Sequence, residues 1–600
     1  MFRKRENLTY ETVLPKRISS TCLVKSPNAF LDGSGQTFFL CSLGESYLVI
    51  DFDQEVVGGV EVRLSCKTAT HVTIIYDESV ENALRREPYF CGWCEQLLDE
   101  YDLPAGTHTL NSCGRRGFRY IGLFVQSEDT VEILSASATT GNWPVAFRGS
   151  FRCNDEMLNQ IWDISAATIR ACMQEYYEDG VKRDGLLWVG DFRLTFLSNY
   201  YVFGDSRLAR KCLLMIRDTQ YECGAIPACS AQSGGHIHGI EDGICYMPGV
   251  PDLPNGYFNT MILLNYMCEY ICCIDDYIQL TGDTSILPEI HESAKKSLCF
   301  LYDASDLDNP GIWKYDAFKC TKDDRGLMYD IQYDCTLNPP SNSGTKGTLL
   351  LHLYGATQAY KRIAERLHDS ESCTWAEDAG RRLDTHLETY YHEKTYGRYL
   401  DTIGQSIAIT MQYTAIMATL VGKEDPVGMR QMIPAIMPSW GYTMTLKLAA
   451  LFAGGYTKAA LDTARNTWGK MIKAGSKTCW ERLDTPELEA THPFNAPVSY
   501  CHGWTAGPAW LFPQWITGVF VVEDGFSKIR IKPNLGELEW AESTVPTPLG
   551  DIMVRAERCN DGIKLYLDIP EQISCKVEWA EDHVISLSRG GQHVLYSNRI

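Results

Sequence analysis

Between Asp179 and Asp191 the chain reads Asp-Gly-Val-Lys-Arg-Asp-Gly-Leu-Leu-Trp-Val-Gly-Asp, with three carboxylates, two cations and a tryptophan within thirteen positions. A second stretch of the same character, Ser476-Lys-Thr-Cys-Trp-Glu-Arg-Leu-Asp484, places Glu481 between Trp480 and Arg482. His502 and Trp504 follow it, and Ser439-Trp440-Gly441-Tyr442 precedes it. Carboxylates beside tryptophans on two distant loops suit hydrolysis of a glycosidic bond. One carboxyl must give a proton to the leaving oxygen while the other activates water or attacks directly. Aromatic rings stack on the apolar faces of sugars and lower the local dielectric, which raises the pKa of the acid. The competing reading is a solvated loop in which Arg183 pairs with Asp179 or Asp191, because surface charge pairs are common and contribute little. Trp188, expensive to leave in water among those charges, weighs against it.

These residues need elements to position them. From Asp155 to Tyr177, Leu158, Ile161, Trp162, Ile169 and Met173 recur at helical spacing, and Gly180 suits the end of that helix. The Asp-rich stretch is therefore expected on a loop leaving a helix, where a rigid scaffold concentrates binding and catalytic groups. The Glu481 stretch likewise follows a helix that stops at Gly475.

Three domains are expected. Residues 1–145 show short alternating runs, such as Tyr47–Asp53, Val60–Leu64, His71–Tyr76, Tyr120–Val125 and Val131–Leu134, and read as a β-sandwich. Residues 146–515 change to helical periodicity, with helices near 155–178, 192–203, 206–219, 257–281, 288–304, 342–366, 371–392, 404–421, 442–453, 456–474 and 504–515. So many helices in one block, without a short internal repeat, fit a closed ring of helical hairpins better than a solenoid. Residues 516–600 return to alternating strands and read as a second, smaller sandwich.

The formal net charge of −21 argues against nucleic acid or an anionic membrane as partner. No apolar run long enough to span a bilayer and no leader-like segment is read, and 23 scattered cysteines fit free thiols in a reducing cytosol. A cytoplasmic location is therefore expected. Cys91-Gly-Trp-Cys94 imitates a redox motif without a strand–helix unit around it. His236 and His238 with Glu241 and Asp242 match no common zinc spacing and read as polar loop residues. The long loops at 234–243, 248–256, 322–325 and 333–340 carry Asp, Asn, His and Tyr suited to a ligand rich in hydroxyls.

On these motifs, residues from about 144 to 515 resemble the catalytic domain of the α-L-rhamnosidases, glycoside hydrolase family 78. Gly149-Ser-Phe-Arg-Cys-Asn-Asp-Glu-Met-Leu-Asn-Gln-Ile-Trp is similar to the family's entry into its first barrel helix. Asp179, Arg183, Trp188, Gly190 and Asp191 fall in register on the family's Asp-Cys-Pro-x-Arg-Glu-x-x-x-Trp-x-Gly-Asp loop. The general-acid glutamate of that loop falls on Asp184, and the general base of the family's Thr-x-Trp-Glu stretch falls on Glu481. His502 and Ser439-Trp440-Gly441-Tyr442 match further segments. The resemblance implies a central (α/α)6 barrel flanked by N-terminal and C-terminal antiparallel β-sandwich domains. It implies an exo-acting, inverting glycosidase releasing terminal L-rhamnose or a similar sugar from a small glycoside. Asp184 would be the acid and Glu481 the base. Asp179, Arg183, Asp191 and His502 would contact hydroxyls, with Trp188, Trp440 and Trp480 as apolar walls. No cofactor or metal is implied, and a homo-oligomer is left open. Another sugar, such as an arabinoside or uronic unit, or a silent sugar-binding protein, are the alternatives. Gly180-Val181 stands where the family has Cys-Pro, and Asp184 is one methylene shorter than glutamate, retracting its carboxyl by about 1.5 Å.

Overall fold

A computed structural model describes residues 4–86, 90–91, 94–95, 98–230, 261–310, 328–330, 346–401, 403, 408–423, 425–433, 440–484, 499–560, 562–580 and 583–597. The histidine-containing loop at 234–243, the loops at 248–256, 322–325 and 333–340, and Ser439 lie outside these residues, as do Gly92 and Trp93 of the Cys91–Cys94 motif.

The N-terminal domain is a ten-stranded sheet built around one long strand, Ser46–Cys66, where the sequence suggested two. Its first half pairs with Arg17–Cys22 and with Tyr120–Val125, and its second half with Gly106–Asn111 and Val131–Thr140. Inward residues along these strands, among them Leu48, Ile50, Val62, Leu64, Ile74, Ile121 and Leu123, form a core of their own. Alternation of this kind is what a sheet with one buried face requires.

The helices follow in two sets. Val189–Phe203, Leu264–Thr281, Lys346–Arg366, Ala408–Leu420, Gly441–Ala453 and Pro508–Trp515 touch in succession, and the last returns to the first. Residues 441–452 of this inner set are buried without interruption, as a helix surrounded by others must be. Outer helices are one-sided. Arg207–Arg217 buries Leu208, Ala209, Cys212, Leu213 and Ile216 and turns its arginines and lysine outward. Glu156–Cys172 starts at Asp155, whose carboxylate accepts from the Met157 and Leu158 amides. It ends at Cys172 rather than near Gly180, because Met173 turns to extended backbone and pairs with Tyr177.

The C-terminal domain has two sheets. The first joins Trp540–Val545, Ile552–Cys559, Gly562–Ile569 and Gly591–Ser597. Its edge is Ser150–Cys153, so this run, expected as the approach to a helix, is a strand pairing with residues 541–544 across the expected domain boundary. The second sheet is not wholly antiparallel, since Lys528–Ile531 runs parallel to Ser574–Ala580. This domain shares one apolar core with the helices. Among the described residues the N-terminal domain shares a small apolar cluster with the helical domain, Val57 with Ala171, Cys172, Val181 and Cys501, and is tied to it by polar groups as well.

Candidate active site

Four segments meet at one end of the helical ring. The loop from Asp179 closes on itself, its amide donating to Leu186 O at 3.1 Å and its Oδ1 accepting from the Leu186 amide at 2.9 Å. The Gly503 amide donates to Asp179 O at 2.8 Å, and Gly180 pairs with His502. The His502 amide donates to Cys479 O at 2.9 Å and the Glu481 amide to Ser499 O at 2.8 Å. The Gly441 amide reaches Glu481 O at 2.9 Å, bringing in Trp440. Backbone bonds thus fasten the two carboxylate-bearing loops, almost three hundred positions apart, to a common third segment.

At the centre lies Arg183. Its Nη1 meets Glu481 Oε1 at 2.5 Å and its Nε lies 3.8 Å from Asp184 Oδ1. Because the guanidinium is rigid and planar, those two carboxylate oxygens are no more than about 9 Å apart. Burial would raise the Glu481 pKa, but Arg183, His502 and the Ser499 amide, 2.9 Å from Oε2, hold it below the ordinary carboxylate value.

A second cluster sits beside it. His502 Nε2 is 3.5 Å from Asp179 Oδ2 and 4.0 Å from Asp191 Oδ2. Burial pushes Asp191 up to about 7, although His502 and the Tyr266 hydroxyl, 2.6 Å from Oδ1, act to lower it. Burial, then the Asp184 charge, raises Asp179 well above its ordinary value, and burial pushes the His502 imidazole down. These three are the one group among the described residues compact enough to hold a metal ion, each offering a ligand atom within 4.8 Å of the others. Two buried carboxyls with raised pKa values beside an imidazole whose pKa is lowered by burial are equally able to exchange hydrogen bonds with hydroxyls.

The expected aromatics divide. Trp188 is half-buried and meets Tyr266 edge-on. Trp440 packs edge-on against Trp504 with the Arg482 guanidinium over its ring. Trp480 is 2% exposed, as is Glu481 beside it; its indole N–H donates to Ser476 Oγ at 2.9 Å and its ring meets Tyr500 edge-on. Tyr266, Ser499, Glu78 and Lys182 were not singled out from the sequence, because their links to the site are made by chain folding across many residues. Only Lys182, inside the Asp179 stretch, carried any local signal.

A ring of paired helices between two β domains, with facing acidic loops at one end, defines the fold of a six-hairpin glycosidase. The chain belongs to the bacterial alpha-L-rhamnosidase family. Residues 146–516 match the bacterial alpha-L-rhamnosidase 6 hairpin glycosidase domain, and residues 518–590 match the C-terminal domain of those proteins. The alpha-L-rhamnosidase of Streptomyces avermitilis is 20% identical over 564 residues, covering 89% of this chain and 48% of its own. That of Alteromonas sp. is 32% identical over 114 residues, 18% of this chain and 12% of its own. The chain thus spans less than half the length of these two relatives. Among solved structures, the GH78 rhamnosidase of Bacillus sp. GL1 superposes with a TM-score of 0.72 at 24% identity over 90% of this chain and 53% of that one. The rhamnosidase from Klebsiella oxytoca with rhamnose bound gives 0.66 at 19% identity over 85% of this chain and 96% of that one. Among the described residues no helix is long and apolar enough to cross a membrane.

Proposed function

We propose that the chain is an exo-acting, inverting glycoside hydrolase that releases terminal α-L-rhamnose, or a closely similar deoxy sugar, from small glycosides, with the helical ring acting as an (α/α)6 barrel. The observation that carries this reading is Arg183 lying between Asp184 and Glu481. Asp184 gives its proton to the glycosidic oxygen. Glu481, kept ionised by Arg183, takes a proton from the water that attacks the anomeric carbon on the opposite face. Inverting pairs stand about 6.5–9.5 Å apart to hold that water, and the bound set by Arg183 is compatible with that range. Asp179, Asp191 and His502 exchange hydrogen bonds with sugar hydroxyls, while Trp188 and Trp440 supply apolar contact. Trp440 Nε1 and His502 Nδ1 are buried with no partner among the described residues, which suits two further bonds to a polyhydroxylated ligand. The names of the similar proteins support the choice of rhamnose, and acid–base hydrolysis of this kind needs no cofactor.

The test is turnover of a nitrophenyl glycoside panel that includes the α-L-rhamnoside. We expect release from the rhamnoside, abolished in Glu481→Gln, with β-rhamnose as the first product seen by NMR. Release from a different sugar alone would move the specificity. No release with sugar-dependent thermal stabilisation would replace hydrolysis by binding.

A further inference from the structure

We propose that Glu78, on the N-terminal domain, is a positioning residue for the reaction: with Asp77 and Lys182 it holds the Asp184 loop and the Glu481 loop in register from outside the helical domain. The inference rests on the assignment of those two carboxylates as the reacting pair. Glu78 follows the strand Thr70–Asp77 and is buried. Its Oε1 accepts from Ser499 Oγ at 3.0 Å and its Oε2 from the Tyr500 amide at 2.7 Å. The backbone it grips is the one that serves the base, since Ser499 N donates to Glu481 Oε2 at 2.9 Å and Ser499 O accepts from the Glu481 amide at 2.8 Å.

The other arm reaches the acid. Lys182 Nζ lies 3.2 Å from Glu78 Oε2 and 3.3 Å from Asp77 Oδ1, two positions before Asp184. The same domain also presses on this loop through Gly117, where a Cβ would stand 2.3 Å from Val181 O. One carboxylate pair on the N-terminal domain is therefore bonded to Lys182, two positions before Asp184, and to Ser499 and Tyr500, the backbone that serves Glu481.

Adhesion between domains does not account for this arrangement. The interface has other polar ties, Arg119 to Gly475 O at 2.7 Å, Lys477 to Asp53 at 3.2 Å and Arg115 to Glu178 at 2.6 Å. A buried ion pair gives little net stability, because desolvation offsets its attraction. Burial indeed raises the Glu78 pKa although Lys182 acts to lower it. What a rigid, fully bonded carboxylate does supply is geometry, and a displacement of about 1 Å in a reacting group lowers rate by roughly a hundredfold.

The experiment compares Glu78→Gln and Lys182→Met with the wild type in the full chain. It reads kcat and KM on nitrophenyl α-L-rhamnoside, the melting temperature, and amide exchange of peptides covering 180–188 and 499–503. We expect kcat to fall by at least about tenfold with KM within about twofold and faster exchange confined to the two loops; the melting temperature falls too, most in Lys182→Met, which leaves two buried carboxylates unpaired. Ser499→Ala removes one Glu78 contact without touching the buried charge, but also the Oγ bonds to Cys501 O and N; its kcat and its exchange at 180–188, away from those bonds, should show the same pattern more weakly, and they serve if Glu78→Gln fails to fold. Unchanged kcat and exchange would overturn the proposal, as would exchange raised throughout the N-terminal domain. If the wild type cleaves no rhamnoside, the reading of function falls, and the exchange measurement alone still decides whether Glu78 holds the two loops.

Discussion

Asp184 has φ 64° and Gly185 φ 62°, two consecutive residues in the left-handed region. Aspartate, with its short side chain, tolerates that conformation better than longer residues. The departure from glutamate thus goes with a backbone that bends to carry a shorter acid. Asp184→Glu is accordingly expected to lower kcat rather than restore a family optimum, and to destabilise by no more than about 1 kcal/mol. Asp184→Asn should lose about a hundredfold or more on alkyl glycosides and less on nitrophenyl ones, whose leaving group needs no proton. Steady-state kinetics on both substrate types decides. Asp191 gives a pH prediction. Its pKa is raised from 3.8 unfolded to about 7 folded, so the folded state binds the extra proton. The stability it contributes is full below about pH 4 and is lost as pH rises toward and past 7. Asp191→Asn should therefore gain on the wild type by about 2–4 kcal/mol between pH 4.5 and 8, read by thermal unfolding across that range; a constant gap would contradict the raised value.

At the scale of elements, the helix Val189–Phe203 delivers Asp191 in its first turn, and Gly190 lets Tyr266 approach so closely that a Cβ there would lie 2.3 Å from its ring. Gly190→Ala should push Tyr266 off Asp191 and cost about 1–3 kcal/mol of stability together with activity, whereas Tyr266→Phe should keep the ring packing and lose the hydroxyl's bond to Asp191. Melting temperature and kcat/KM measured on both variants separate the two effects. Most helices were legible because one-sided burial imposes a 3.6-residue period, as in Arg207–Arg217. The short helix Pro426–Met432 was missed, being too brief to show a period. The end of the first helix was misplaced because Tyr176 and Tyr177, apolar in the helical register, are buried by the loop instead. The Ser150–Cys153 strand was read as helix approach because its partner lies almost four hundred residues away. The same limit applies to the site. The residue types of Asp179–Asp191 and of Glu481 showed in the sequence, whereas the ion pair of Arg183 with Glu481 and the grip of Glu78 are products of folding alone.

For the whole molecule, the division of apolar cores sets how it comes apart. The helical and C-terminal domains share one core, while the N-terminal sheet has its own and meets the rest through ion pairs, backbone bonds and a five-residue apolar contact. Elements that share a core unfold together, and a unit with a separate core and a polar interface has its own cooperative transition. Calorimetry should therefore show two transitions, with the helical and C-terminal domains melting as one. Of the 14 tryptophans all but Trp93 and Trp143 lie beyond residue 145, and Trp143 packs against the helical core, so fluorescence should follow mainly the helical and C-terminal transition. Added salt screens exposed charges more than buried ones, so raising ionic strength should move the N-terminal transition by only a few degrees, given that Asp51, Asp77, Glu78, Glu178 and Lys182 are buried. If the N-terminal sheet melts first, activity should vanish with that earlier transition while tryptophan fluorescence is still native, because the loops bearing Asp184 and Glu481 lose the carboxylates that hold them. Activity that survives until the fluorescence changes would mean that the helical domain keeps its own catalytic geometry without the sheet.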